Sequence, residues 1–194
     1  MPLFLLEVSE KKTMIKLMAI EPYENLWPSI DTSAFIASSA DVIGQVEIGP
    51  NASIWYNTTL RGDINKIVIG EGSNIQDNSC IHLADDLGCY VGKYVTVGHC
   101  ATLHACTIED HVLIGMGAIV LDGAIVGEGS VIGAHTLVTK GTIIPPHSLV
   151  LGSPGKIVKD LGEESAAKNK YWAEKYIRVS RNYINRNLDP GFGA

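Results

Sequence analysis

The sequence predicts a mainly β fold, a coil of short parallel strands stacked along one axis and followed by a C-terminal α-helix. Three observations carry this. Apolar anchors recur every six positions from Ile36 to Val150. The residue four after each anchor is nearly always small or β-branched, and glycine often follows the anchor directly. After Pro154 the six-residue pattern gives way to a helical one.

Residues 1–34 show no repeat; Pro22, Pro28, Asn25, Ser29 and Asp31 read as an irregular lead-in. The opening MPLFLLEVSE resembles a secretory signal only briefly. Its apolar run is short, Glu7 interrupts it, no basic residue precedes it and no small-residue cleavage site follows. The segment is read as an extension upstream of the domain, with Met14 or Met18 as an alternative internal start, and the expected compartment is the cytoplasm.

The coil is expected over residues 35–155. Its anchors run Ile36, Val42, Ile48, Ile54 and Leu60, then Ile69, Ile75 and Ile81, then Val91, Val97 and Leu103, and from Ile108 to Val150 without interruption. Ile64 and Asp85 break the small-residue rule where the spacing lengthens, which marks inserted loops, and the register shortens by one between Leu103 and Ile108. A period of six does not follow a helical turn, and the anchors are largely β-branched. One such strand cannot bury its apolar side alone, so successive coils must stack. The pattern resembles the hexapeptide-repeat superfamily. That resemblance implies a single-stranded left-handed parallel β-helix of triangular section, with three hexads per coil.

Residues 156–194 are expected to hold a helix, from about Glu163 to Asn185, and an irregular tail from Asp189. The stripe Trp172, Ile177 and Ile184 reads as the side that packs on the coil.

Composition narrows the function. The chain has 194 residues, within reach of one domain, with 19% charged and 46% apolar residues, which excludes a disordered chain or a coiled coil. Fifteen basic residues against 21 acidic ones give a net charge of −6, and no basic run or Arg–aromatic interleaving is present, which argues against nucleic acid as a partner. No apolar stretch is long enough to span a bilayer. The four cysteines, Cys80, Cys89, Cys100 and Cys106, form no CxxC and read as reduced thiols, although two flank candidate ligands.

The position after an anchor is usually glycine or apolar, but it becomes large and polar at Arg61, Gln76, His82 and His104. Neighbours on a strand point to opposite sides, so these residues face outward. Leu60, Ile81 and Leu103 lie three hexads apart, which stacks Arg61, His82 and His104 on one wall in successive coils. Adjacent strands stand ~4.8 Å apart, close enough for His82 and His104 to share one metal ion. His99 sits at the corner before that wall. Five residues of strand reach ~16 Å, so one chain can hardly bring His99 and His104 together. Gln76 and His99 share another wall. The simplest closure pairs the His82/His104 wall of one chain with the His99/Gln76 edge of the next, and head-to-tail repetition closes a homotrimer.

The stretches LRGD at 60–63, NIQDNSCIH at 74–82, GHCATLH at 98–104, LIGMGAIVLDGAIVGEG at 113–129 and LVLGSPGKIVKDL at 149–161 resemble the gamma-class carbonic anhydrases. The resemblance implies one divalent metal per subunit interface, zinc first and iron or cobalt as alternatives, held by His82, His99 and His104. It makes Gln76 the catalytic side chain beside the metal-bound solvent, Arg61 and Asp63 interface residues, and Asn74 and Asp77 structural members of the same motif. Three imidazoles and one open position form a catalytic type of site. There the cation is expected to bring the pKa of water down to about 7, and the hydroxide to attack carbon dioxide to give bicarbonate. Part of that family carries a long acidic loop for proton transfer. Here Leu83–Tyr90 is short, with Asp85 and Asp86 and no glutamate, which leaves proton transfer to buffer, these aspartates or another group.

Other readings remain beside this one. His111, His135 and His147 have no partners in the hexad count, Asp122 and Glu128 read as solvated corners, and Trp55, Trp172 and the tyrosines read as packing. A hexapeptide acyltransferase with an acyl-CoA donor would use His82 or His104 as general base, but leaves the histidine trio unexplained and lacks a long loop to cover an acceptor. A non-catalytic metal-binding trimer would bind metal without turnover.

Overall fold

The structure, a computed structural model, describes residues 19–186; the expected N-terminal extension up to residue 18 and the tail from residue 187 lie outside the described residues. Between them the chain winds as a left-handed parallel β-helix with three walls. The first wall stacks Cys80–His82, Thr102–His104, Ile119–Val120 and Leu137–Val138, and the second stacks Cys89–Val91, Thr107–Ile108, Ile125–Val126 and Ile143–Ile144. Two long strands, Asp41–Ile48 and Thr59–Ile69, bend across the edge between these walls and join them into one sheet. The third wall runs from Phe35–Ile36 through Asn74–Ile75, Thr96–Val97 and Leu113–Ile114 to Ser148–Leu151, and Lys156–Asp160 closes it as an antiparallel edge.

The six-residue anchors fill the interior. Ile54, Ile75, Ile81, Leu103, Ile114 and Ile132 are fully buried. The small residues four positions on sit inside the corners, where hydroxyls satisfy backbone groups that no strand partner reaches. Ser79 Oγ, for example, donates to Gly98 O at 3.1 Å and accepts from Ala101 N at 3.2 Å. Among the described residues no buried side-chain nitrogen or oxygen lacks a partner. Several corners turn through the left-handed region, at φ 59° for Asn78 and φ 66° for Gly117. At Gly117 a Cβ would stand 2.5 Å from the His135 ring, so a side chain there would have to displace that ring as well as adopt a left-handed backbone. Because Ile114 is fully enclosed, Ile114→Ala is expected to cost about 2–5 kcal/mol, read as a shift in the urea midpoint at unchanged slope.

The chain adds to the coil before residue 35. Ala19–Glu21 and Ser29–Ile30 pair in parallel with Asp41–Ile43 and with Glu47–Ile48. Of the two expected insertions, Asp85 lies in a loop, but Ile64 lies in a bulge within Thr59–Ile69. The two are stacked, and Asn65 Nδ2 donates to Asp85 O at 3.2 Å.

The helix Glu164–Arg186 runs back along the third wall. Its packed side departs from the expected one at Trp172, which is 45% exposed; Ile184 packs on the core, and Ser165, Asn169, Ala173 and Ser180 are buried. Asn169 Nδ2 donates to the carbonyls of His111, Gly129 and Ser130 at 2.8–3.2 Å. Ser165 Oγ meets His147 Nδ1 at 3.0 Å, and Tyr183 packs against Phe35 and Trp55. Among the described residues no helix is long and apolar enough to cross a membrane.

Candidate metal centre

Register places the two wall histidines. Ile81 pairs with Leu103, and His82 pairs with His104 one coil on. Both side chains leave the wall together, with ring centroids 5.3 Å apart. His82 Nδ1 and His104 Nε2 face each other at 3.3 Å. The remaining nitrogens are each occupied by a carboxylate. His82 Nε2 lies 3.0 Å from Asp63 Oδ1, and His104 Nδ1 lies 2.5 Å from Asp122 Oδ1.

The protonation follows from these contacts. Partial burial pushes the Asp63 carboxyl up, but hydrogen bonds from His82 and Arg61 outweigh it and hold it below the usual carboxylate range. For Asp122 the hydrogen bond from His104 is the largest influence and holds the carboxyl low against an opposing desolvation. Ionised carboxylates only accept, so each imidazole places its proton on the carboxylate side. Two lone pairs are then left facing each other, an arrangement that calls for a cation between them. Ligand nitrogens ~2.0–2.1 Å from a tetrahedral ion stand ~3.3–3.4 Å from each other, which matches the observed separation.

His99 follows the strand Thr96–Val97 on the third wall, away from this pair. The register Val97 to Ile75 carries on to set His99 beside Asp77, whose Oδ2 lies 2.9 Å from His99 Nδ1. Its Nε2 is thereby left for another partner, as Nε2 is at His104 and Nδ1 at His82. Among the described residues of one chain no three His, Cys, Asp or Glu side chains converge on a point.

Gln76 stands on the same wall as His99 and is 4% exposed. Its Nε2 donates to Asn74 Oδ1 at 3.0 Å, and Asn74 is fixed in turn by donating to Thr96 Oγ1 at 3.0 Å. Tyr176 from the helix shares a hydrogen bond with the Gln76 side chain; burial first, and then the Asp77 charge, push the Tyr176 hydroxyl up. Gln76 lines a groove of about 350 Å³ between helix and wall, with Gly98, Met116, Trp172 and Tyr176. Arg61 Nη1 pairs with Asp63 Oδ2, so the Arg61–Asp63 pair buttresses His82.

Several expectations change. Asp122, read as a solvated corner, is the closest partner of His104. The signal was in the spacing: Val120 pairs with Leu103, and Gly123 N bonds Ala105 O, so two residues in one coil oppose His104 alone in the other. His111 and His147, which have no partners in the hexad count, are held as ordinary hydrogen-bonded histidines. His111 stacks on Tyr94 and meets Glu128 at 2.9 Å, and His147 holds the helix. Cys106 does not face the histidines. Its sulfur is buried, 3.9 Å from that of Cys89, and all four thiols are free.

Fold and residues together define a hexapeptide-repeat β-helix protein with carboxylate-supported histidines on two of its walls. The bacterial transferase hexapeptide (six repeats) family model matches residues 105–140. The chain is 50% identical to the probable carbonic anhydrase of Methanocaldococcus jannaschii, covering 78% of this chain and 95% of that protein. It is 40% identical to gamma carbonic anhydrase 2, mitochondrial, of Arabidopsis thaliana over 82% of this chain, but spans only 60% of that relative's length. A crystal structure of a hexapeptide transferase family protein from Anaplasma phagocytophilum superposes with a TM-score of 0.81 at 46% identity, covering 85% of this chain and 98% of that one. The chain belongs to the gamma-class carbonic anhydrase-like family of the hexapeptide-repeat superfamily.

Proposed function

We propose that the protein catalyses the reversible hydration of carbon dioxide to bicarbonate with a divalent metal, zinc first, at the interfaces of a homotrimer. The observation that carries this is the 3.3 Å approach of His82 Nδ1 to His104 Nε2 while Asp63 and Asp122 hold the opposite nitrogens. His82 and His104 of one subunit and the partner subunit's His99 would hold the ion. When bound, a cation held by neutral imidazoles would supply Lewis acidity that brings the pKa of water down to about 7. Gln76, oriented by Asn74, hydrogen-bonds solvent or bicarbonate at the site. Arg61, through Asp63, keeps His82 in place, and Asp77 does the same for His99.

Metal analysis of anaerobically purified protein, followed by stopped-flow hydration of carbon dioxide, tests this. The expected result is about one divalent ion per chain and turnover that a chelator removes and zinc restores. Metal without turnover would mean a binding protein. The Anaplasma relative is named as a hexapeptide transferase family protein, so acyl transfer from coenzyme A by a metal-free protein is the result that would replace the proposal.

A further inference from the structure

We propose that Asp122 is a positioning residue: it holds the His104 proton on Nδ1 and so keeps Nε2 bare to capture a divalent cation. The inference rests on the metal-centre reading above, and it concerns a residue that lies outside the histidine trio and its Arg61, Asp63, Asn74, Gln76 and Asp77 neighbours.

An imidazole that faces another imidazole can carry its proton on either nitrogen. With the proton on Nε2, His104 would donate to His82 Nδ1, 3.3 Å away, and the lone pair that a cation needs would be spent on that bond. Asp122 removes the choice. Its Oδ1 lies 2.5 Å from His104 Nδ1, closer than any other hydrogen-bond partner of the histidine pair. A hydrogen bond to an ionised carboxylate is about twice as strong as a neutral one.

The fold delivers the carboxylate through a mismatch in length. Between Leu103 and the corner residue Ala105 stands only His104, whereas between Val120 and Gly123 stand Leu121 and Asp122. Gly123 N nevertheless bonds Ala105 O at 2.7 Å, so the two corners are aligned and the surplus residue is pressed toward His104. Lys140 Nζ, 4.0 Å from Asp122 Oδ2, is 78% exposed and contributes little. Partners of this outer kind orient metal-binding histidines and fix their tautomer.

Two readouts on the full-length chain test the role. Long-range proton–nitrogen NMR correlations on metal-free protein report which His104 nitrogen is protonated. Calorimetric titration with Co(II) reports affinity. In Asp122→Ala the Nε2–H form is expected to appear at His104, and Co(II) affinity is expected to fall about 10–100-fold. Asp122→Asn, which keeps an acceptor oxygen, should recover part of both effects. The metal-free melting temperature should hardly change, because the carboxyl lies on a partly exposed corner. An unchanged tautomer or an unchanged Co(II) affinity in Asp122→Ala overturns the proposal. Failure of the metal centre itself reads differently: the wild type then takes up no Co(II), which overturns both.

Discussion

His104→Ala protein is expected to fold and assemble as wild type does, yet to retain no stoichiometric divalent metal and to hydrate carbon dioxide more than about 100-fold slower. The bound follows from comparison. Loss of an outer-shell partner costs about 10–100-fold in metal affinity or activity. Loss of a ligand is more severe, because it leaves two protein nitrogens where a catalytic site needs three. Folding should survive, since the His104 side chain is 33% exposed and projects from the wall, while Leu103 beside it carries the core. His111→Ala is the control. That ring stacks on Tyr94 and meets Glu128 on a different edge of the coil, so metal content and turnover should stay at the wild-type level. Metal analysis and stopped-flow measurements on both variants decide the matter. One ion per chain and undiminished turnover in His104→Ala would remove the wall pair from the site.

The coil itself was legible because its period is a packing requirement. Each anchor fills one side of a triangular interior, so counting anchors in threes yields the register, and His82 falls on His104. The same count separates His99 from the pair. What the count does not see is the side chain that a corner pushes out. Asp122 reaches His104 because one coil is a residue shorter than its neighbour there; the shortened register is visible in the sequence, but the side chain it exposes lies in the next coil.

The helix misled for another reason. An apolar stripe signals a packed face when the surface beneath is apolar. Here the surface beneath is partly a row of corner carbonyls, so Asn169 and Ser165 turn inward to serve the coil and Trp172 turns outward. The strands Ala19–Glu21 and Ser29–Ile30 escaped because they extend the coil through backbone pairing, outside the run of six-residue anchors.

A site divided between subunits makes a quantitative demand on mixed assemblies. Chains carrying His104→Ala keep an intact His99 edge, and chains carrying His99→Ala keep an intact His82/His104 wall. Neither forms a complete site alone, and no single chain in a mixture holds all three histidines. In a closed head-to-tail ring, however, an interface works whenever an intact wall meets an intact edge. Any mixed trimer, whichever chain is in the majority, contains one such interface out of three. Co-expression with two different tags and sequential purification on both isolates the mixed trimers. Their metal content and carbon dioxide hydration are each expected at about one third of wild type, while each parent trimer stays at background. The fraction also reads the ring size, since a mixed dimer closed in the same way would return about one half. Background turnover in mixed assemblies that are shown to contain both chains would mean that His104 of one subunit and His99 of another do not meet on one metal, because a site that takes both from the same chain is silent in both parents and in the mixture alike.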